Sequence, residues 1–175
     1  RRMGTAETMT KQQIKKYLKM LNDKLAEMGI KGEICLYGGA IMCMVFDARP
    51  ATKDIDAVFK PEQKIHLAAL RIAKEHHLPL DWLNDGVKGY LSKKKHKDKI
   101  LFNWHNLTVY HADPEYLLAM KAISVRHKQD TDDIQFLIRE LKLKDAPAVL
   151  KIIGKYYPRN LIKPTTKLLI EELLS

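Results

Sequence analysis

Apolar residues recur at helical spacing near the start of the chain. Ile14, Tyr17, Leu18, Leu21 and Leu25 fall three and four positions apart, with lysines elsewhere. The pattern predicts a helix from Thr10 to Met28. Thr10 and Gln13 fit a capping box at its start, and Gly29 fits its end. The period then changes. Glu33 to Tyr37 reads as a short strand, Gly38-Gly39 breaks it, and Ala40 to Phe46 continues apolar as a second short helix. Pro50 argues against regular structure around itself. From Asp54 to Phe59 the period is two. Asp54, Asp56 and Val58 point one way, and Ile55, Ala57 and Phe59 the other.

Pro61 to His76 fits a helix opened by proline and glutamate, with Ile65, Ala68, Ala69, Ile72 and Ala73 on its inner side. Leu78 to Asp85 is a short extended segment or turn. Val87 to Lys99 carries Lys88, Lys93, Lys94, Lys95, Lys97 and Lys99, and reads as a solvated run. "NLTVYHA" is a strand candidate. Helices are expected at Pro114 to Val125, Asp132 to Leu143, Pro147 to Tyr156 and Thr165 to Leu174. The expected organisation is an α/β (α+β) core over 9–112, with a short mixed sheet flanked by helices. A C-terminal helical region over 113–175 is expected to pack on it.

A length of 175 residues suits one domain, or one domain with an added helical part, and can bury a sizeable core. The segment "RRMGTAET" reads as a tail outside the fold. No apolar run reaches the length of a membrane span and no signal-peptide pattern is visible, so a cytoplasmic protein with no membrane partner is expected. Cys35 and Cys43 read as buried free thiols, too few for a disulfide scaffold. The formal net charge is +10, which favours anionic partners without naming them.

The chemistry concentrates in "YGGAIMCMVFDARPATKDIDAVF". On a strand, residues two apart share a face, so Asp54 and Asp56 stand side by side. Two adjacent carboxylates resist ionising together unless a cation lies between them. Mg²⁺ (or Mn²⁺) suits such a pair, because it needs one or two protein carboxylates and takes its other ligands from phosphate and water. Gly38-Gly39, between a strand and a helical run, leaves backbone N–H groups available to a phosphate. The plainer alternatives are a solvated acidic face and a tight turn.

The combination resembles the signature of the DNA polymerase β-like nucleotidyltransferase superfamily, in which Gly-Gly or Gly-Ser on a short helix precedes Asp-x-Asp on the next strand. Its Arg-x-x-Thr-x-Asp-Ile-Asp form looks most like the minimal nucleotidyltransferases of toxin–antitoxin and phage-abortive systems, including AbiEii-like toxins and DUF6036-type relatives. The resemblance spans roughly residues 10 to 145, with Gly-Gly to Asp-Ile-Asp its specific part. It implies that Gly38 and Gly39 touch the β/γ-phosphates of a bound NTP and that Asp54 and Asp56 bind the metal. Arg49 and Thr52 lie on the approach loop.

The resemblance also implies a third acid from a neighbouring strand. Asp81 and Asp85 in "LDWLND" both qualify, with a slight lean to Asp81. Farther on, the resemblance has Lys121 meeting the triphosphate, and Asp130 or Asp133 orienting it or a basic neighbour. Arg126 is a further candidate. The plainer reading is a surface lysine and routine helix capping by Asp130, Thr131 or Asp132. Trp104, His105 and Tyr110 beside the lysine run suit base stacking, and the basic C-terminal positions extend that possibility; core packing of Trp82 and Trp104 is the alternative.

The expected activity is transfer of an NMP from an NTP to a hydroxyl of tRNA or of a protein. The resemblance adds a toxin role with a cognate antitoxin. Two alternatives stay open: phosphoryl transfer on the same fold, and a basic binding module without catalysis.

Overall fold

The computed structural model describes residues 8–125 and 128–175. Two compact units emerge. The first comprises the chain up to Lys88 together with Asp98–His111; the second comprises Gly89–Lys97 and Ala112–Ser175.

In the first unit, α1 (Lys11–Glu27) opens with the expected capping box. Thr10 Oγ1 accepts from the Gln13 N–H and the Gln13 side chain accepts from the Thr10 N–H. A pair of two-residue strands, β1 (Met9–Thr10) and β3 (Ala51–Thr52), run antiparallel. The main sheet is built from β2 (Gly32–Tyr37), β4 (Ile55–Lys60), β5 (Leu83–Asn84), β6 (Asp98–Asn103) and β7 (Leu107–Ala112), in the order β5-β4-β2-β7-β6. It is a mixed sheet: β2 pairs antiparallel with β4 and parallel with β7, while β4 pairs parallel with β5.

The alternation along β4 predicted its burial. Ile55, Ala57 and Phe59 are buried, while Asp54, Asp56 and Val58 are half-buried on the other face. Ile34, Leu36, Leu107 and Val109 continue the buried face. α3 (Glu62–His76) belongs to the same core through Ile65, Ala68, Ala69, Ile72 and Ala73. Gly32 is where α1, α3 and the sheet converge: a Cβ there would meet Ile65 Cδ1 at 3.0 Å and Leu25 Cδ1 at 3.1 Å. Trp82 is fully buried, and its indole N–H donates to the Ala69 carbonyl at 2.9 Å. That bond satisfies the one polar atom the ring carries into the core. Trp104 is half-buried instead, stacked on Phe102 with centroids 4.7 Å apart.

The second unit is helical, with α4 (Pro114–Ser124), α5 (Lys128–Glu140), α6 (Ala146–Tyr156) and α7 (Pro164–Leu173). Asp113 and Asp145 cap α4 and α6, accepting from the Tyr116 N–H at 3.0 Å and the Ala148 N–H at 2.9 Å. One expectation needs correcting. α5 begins at Lys128, so Asp130, Thr131 and Asp132 lie inside its first turns and do not cap it. Of these, Asp130 is directed instead at the ammonium of Lys121, 3.4 Å away, alongside Asp133 at 2.6 Å.

The strands β1, β3 and β6 were not anticipated. Two-residue strands carry no period to read, and β6 follows directly on a lysine run. Among the described residues, no helix is long and apolar enough to cross a membrane.

Candidate functional site on the Gly38–Asp56 face

The site starts where β2 ends. Gly38 has φ 66° and ψ −146°, a backbone region that L-residues rarely enter, and it swings the chain into α2 (Gly39–Met44). All six residues of α2 are buried. Across the antiparallel register, Tyr37 lies opposite Asp56, which sets the Asp56 carboxylate beside the Gly38 turn. A Cβ at Gly38 would sit 2.5 Å from Asp56 Oδ2. A Cβ at Gly39 would sit 2.6 Å from Arg49 Nη1 and 2.8 Å from Thr52 Oγ1. The two glycines are thus the condition for Asp56, Arg49 and Thr52 to close on one backbone corner.

The loop that brings Arg49 and Thr52 there is anchored at both ends. Lys11 Nζ pairs with Asp47 at 3.1 Å, and Thr52 is held in β3 opposite Met9. Thr52 is buried, and its hydroxyl donates to the Asp54 carbonyl at 3.2 Å. The approach loop is therefore part of the corner and not a loose lead-in to β4.

Asp54 is under electrostatic stress. Its carboxyl is pushed above the usual carboxylate range, first by burial and then by the charge of Asp81. Asp85 has the opposite environment. Lys88 bonds it at 3.0 Å and holds its carboxyl below the usual range. Lys88 also pairs with Glu62. Of the two candidate third acids, Asp81 is the one whose charge reaches Asp54. Asp85 is neutralised by Lys88, which also reaches Glu62 at the start of α3.

Sequence reasoning missed Asn84. The parallel register of β4 and β5 places Asn84 next to Asp56, and Ile55 next to Leu83. The faint signal was the matched apolar–polar order of Ile55-Asp56 and Leu83-Asn84. Nothing in a two-residue strand reveals its pairing register. Among the described residues, no group of three or more His, Cys, Asp or Glu side chains converges as a ready-made metal cage.

The second unit collects the remaining candidates. Lys121 is buried on α4, with its Nζ 2.6 Å from Asp133 Oδ2 and 3.4 Å from Asp130 Oδ1. Arg126 lies outside the described residues. Lys88, Lys93, Lys94, Lys95, Lys97 and Lys99 are all exposed, as a solvated run requires. Cys43 is buried and Cys35 half-buried, both free. Burial, with the nearby Asp98, pushes the Cys35 thiol up to about 12, so it is not a nucleophile near neutrality.

Comparison with known proteins returned no matching family model, no matching curated protein and no matching solved structure.

Proposed function

We propose that the chain is a Mg²⁺-dependent nucleotidyltransferase with a polymerase β-like core, moving an NMP from an NTP to an acceptor hydroxyl. The observation that carries this reading is the corner itself. Two glycines without side chains are packed against a carboxylate, a guanidinium and a hydroxyl, beside a second carboxylate whose ionisation its surroundings resist.

The residues present fit a hard divalent cation. Asp54 and Asp56 supply oxygen donors from one strand face. Asp54 is destabilised as an anion by burial and by Asp81, and a cation removes that penalty. Asp54 and Asp56 would hold the ion, with Asp81 as the nearest further acid. When bound, Mg²⁺ supplies positive charge against the triphosphate.

The chain's own groups do the rest by placement. Gly38 and Gly39, lacking side chains, let Asp56, Arg49 and Thr52 close on the backbone at the corner where the triphosphate would lie. Arg49 offers a guanidinium at the same corner, and its planar donors suit phosphate oxygens. The acceptor hydroxyl attacks the α-phosphorus in line. A new P–O bond forms, the bond to the β-phosphate oxygen breaks, and pyrophosphate leaves with the electron pair. The hydroxyl proton passes to a carboxylate of the face or to water. Lys121, Asp130 and Asp133 lie in the second unit and take no part in these steps.

One observation favours a second reading. Asn84, an amide, occupies the register position beside Asp56 from which a neighbouring strand offers its side chain. A basic binding module that keeps the corner without the chemistry accommodates that amide.

The test supplies each α-labelled NTP separately with Mg²⁺, total tRNA and cell protein, beside an Asp54→Ala/Asp56→Ala variant. Label on RNA or protein is expected, falling by about a hundredfold or more in the variant. Transfer of γ-label alone moves the activity to phosphoryl transfer. Neither label, with no Mg²⁺-dependent NTP binding, leaves the binding module.

A further inference from the structure

The second unit carries a groove of about 970 Å³ at the junction of α6 with α7. Its charge is one-sided. Lys151, Lys155, Arg159 and Lys167 line it, and no acidic side chain does. All four are exposed. Among the described residues, Lys155 already holds a carboxylate, with Glu115 at 2.8 Å, while Lys151, Arg159 and Lys167 have no ion pair. The rest of the lining includes Pro147, Leu150, Pro158, Ile162 and Pro164. Exposed leucines also occur nearby in the chain. Leu161 and Leu168, each adjacent in sequence to a lining residue, are 47% and 63% exposed.

These features select the chemistry of the occupant. Cations around an apolar floor call for a ligand that is anionic at its edges and apolar at its tips. A nucleic-acid strand meets the first condition only. It gains affinity by stacking bases on available aromatic faces. The one aromatic ring in this lining, Tyr157, is buried and tied down by its hydroxyl, which donates to the Tyr90 carbonyl. An acidic polypeptide segment with leucine-like side chains at helical spacing meets both conditions. Its apolar tips reach Leu150 and Ile162, and its carboxylates take the places beside Lys151, Arg159 and Lys167 as Glu115 does beside Lys155.

We infer that this groove is a docking site for an acidic, leucine-bearing amphipathic segment of a partner protein. The site lies wholly in the second unit and makes no use of the Asp54–Asp56 face, so it stands or falls apart from the proposed activity.

The test measures fluorescence anisotropy of a labelled peptide with leucines three and four apart and glutamates elsewhere, titrated with the full chain. Companion peptides replace Leu by Ala, or Glu by Gln. The groove variant is Lys151→Glu/Arg159→Glu/Lys167→Glu. A control of equal charge change is Lys93→Glu/Lys94→Glu/Lys95→Glu, and the milder Lys151→Gln/Lys167→Gln serves if the triple groove variant misfolds. Affinity is expected to fall about tenfold or more in the groove variant and for either companion peptide, and by less than about threefold in the control. The proposal is overturned if the parent peptide does not bind, if both triple variants lose affinity equally, or if the Ala peptide binds as well as its parent. It is also overturned if an oligouridine RNA displaces the peptide and itself depends on the three groove cations, which would make the groove a nucleic-acid site.

Discussion

Two clusters of carboxylates in this protein have opposite electrostatics. Asp130 and Asp133 on α5 face a lysine. Lys121 lies 2.6 Å from Asp133, and the side chains of the two are only 10% and 3% exposed. Asp54, one position before β4, has another carboxylate as its electrostatic neighbour, and burial adds to the cost of its charge. The first cluster is neutralised inside its own unit and holds two helices in register. At the second, burial and the charge of Asp81 outweigh the nearby Lys53 and disfavour the charge of Asp54. A buried carboxylate beside a lysine is the pattern of a structural ion pair, whereas a carboxyl raised by burial and a like charge is the pattern found at functional sites. The contrast between the two clusters can be broken from either side.

The largest effect is expected at Lys121. Lys121→Met removes the ammonium 2.6 Å from the nearly buried Asp133, and breaking such a pair costs about 3–5 kcal/mol. Urea unfolding should show the midpoint collapse. Lys121→Met/Asp133→Leu should recover much of it, because an apolar pair removes the stranded charge. A small change in the single variant would mean that the cluster is not structural.

Next comes Gly38. Gly38→Ala places a methyl 2.5 Å from Asp56 Oδ2 at φ 66°, and about 1–3 kcal/mol of destabilisation is expected. Gly29 is the reference, since it has the same φ with nothing within 4 Å. Gly29→Ala should therefore cost less, and only Gly38→Ala should weaken Mg²⁺-dependent NTP binding, measured by titration calorimetry. Equal costs at the two glycines would remove the close approach of Asp56 as a feature of the corner.

The smallest effect has the opposite sign. The carboxyl of Asp54 lies above its unfolded value in the folded protein, so folding takes up a proton between the two values. Stability contributed by this group is therefore lost as pH rises through that window and stays lost at neutral pH. Asp54→Asn should raise the Tm at neutral pH by about 2–4 °C. The advantage should shrink as pH falls through the carboxylate range. Added Mg²⁺ should raise the Tm of the parent chain more than that of the variant. A variant less stable than its parent at neutral pH would show that Asp54 is compensated like Asp133.

Much of the α/β part was legible from pattern. The Thr10 capping box, the apolar stripes of α1 and α3, and the two faces of β4 all follow from spacing, because each is decided by neighbours within a few residues. The half-buried placement of Asp54 and Asp56, against the buried Ile55 and Ala57, was legible for the same reason. The start of α5 was not: Asp130, one of the residues that look like caps, lies inside the helix and pairs with Lys121 from another helix.

The sequence by itself determined which positions of β4 are buried, which helices form, and that a Gly-Gly break follows β2. Only the tertiary structure decided that Gly38 abuts Asp56, that Gly39 abuts Arg49 and Thr52, and that Asn84 lies beside Asp56. It alone separated Asp81, whose charge reaches Asp54, from Asp85, which Lys88 holds. The physical reason is range. Periodicity and capping act over one or two turns of chain, whereas strand register, close approach and charge coupling join segments whose separation the local pattern does not encode.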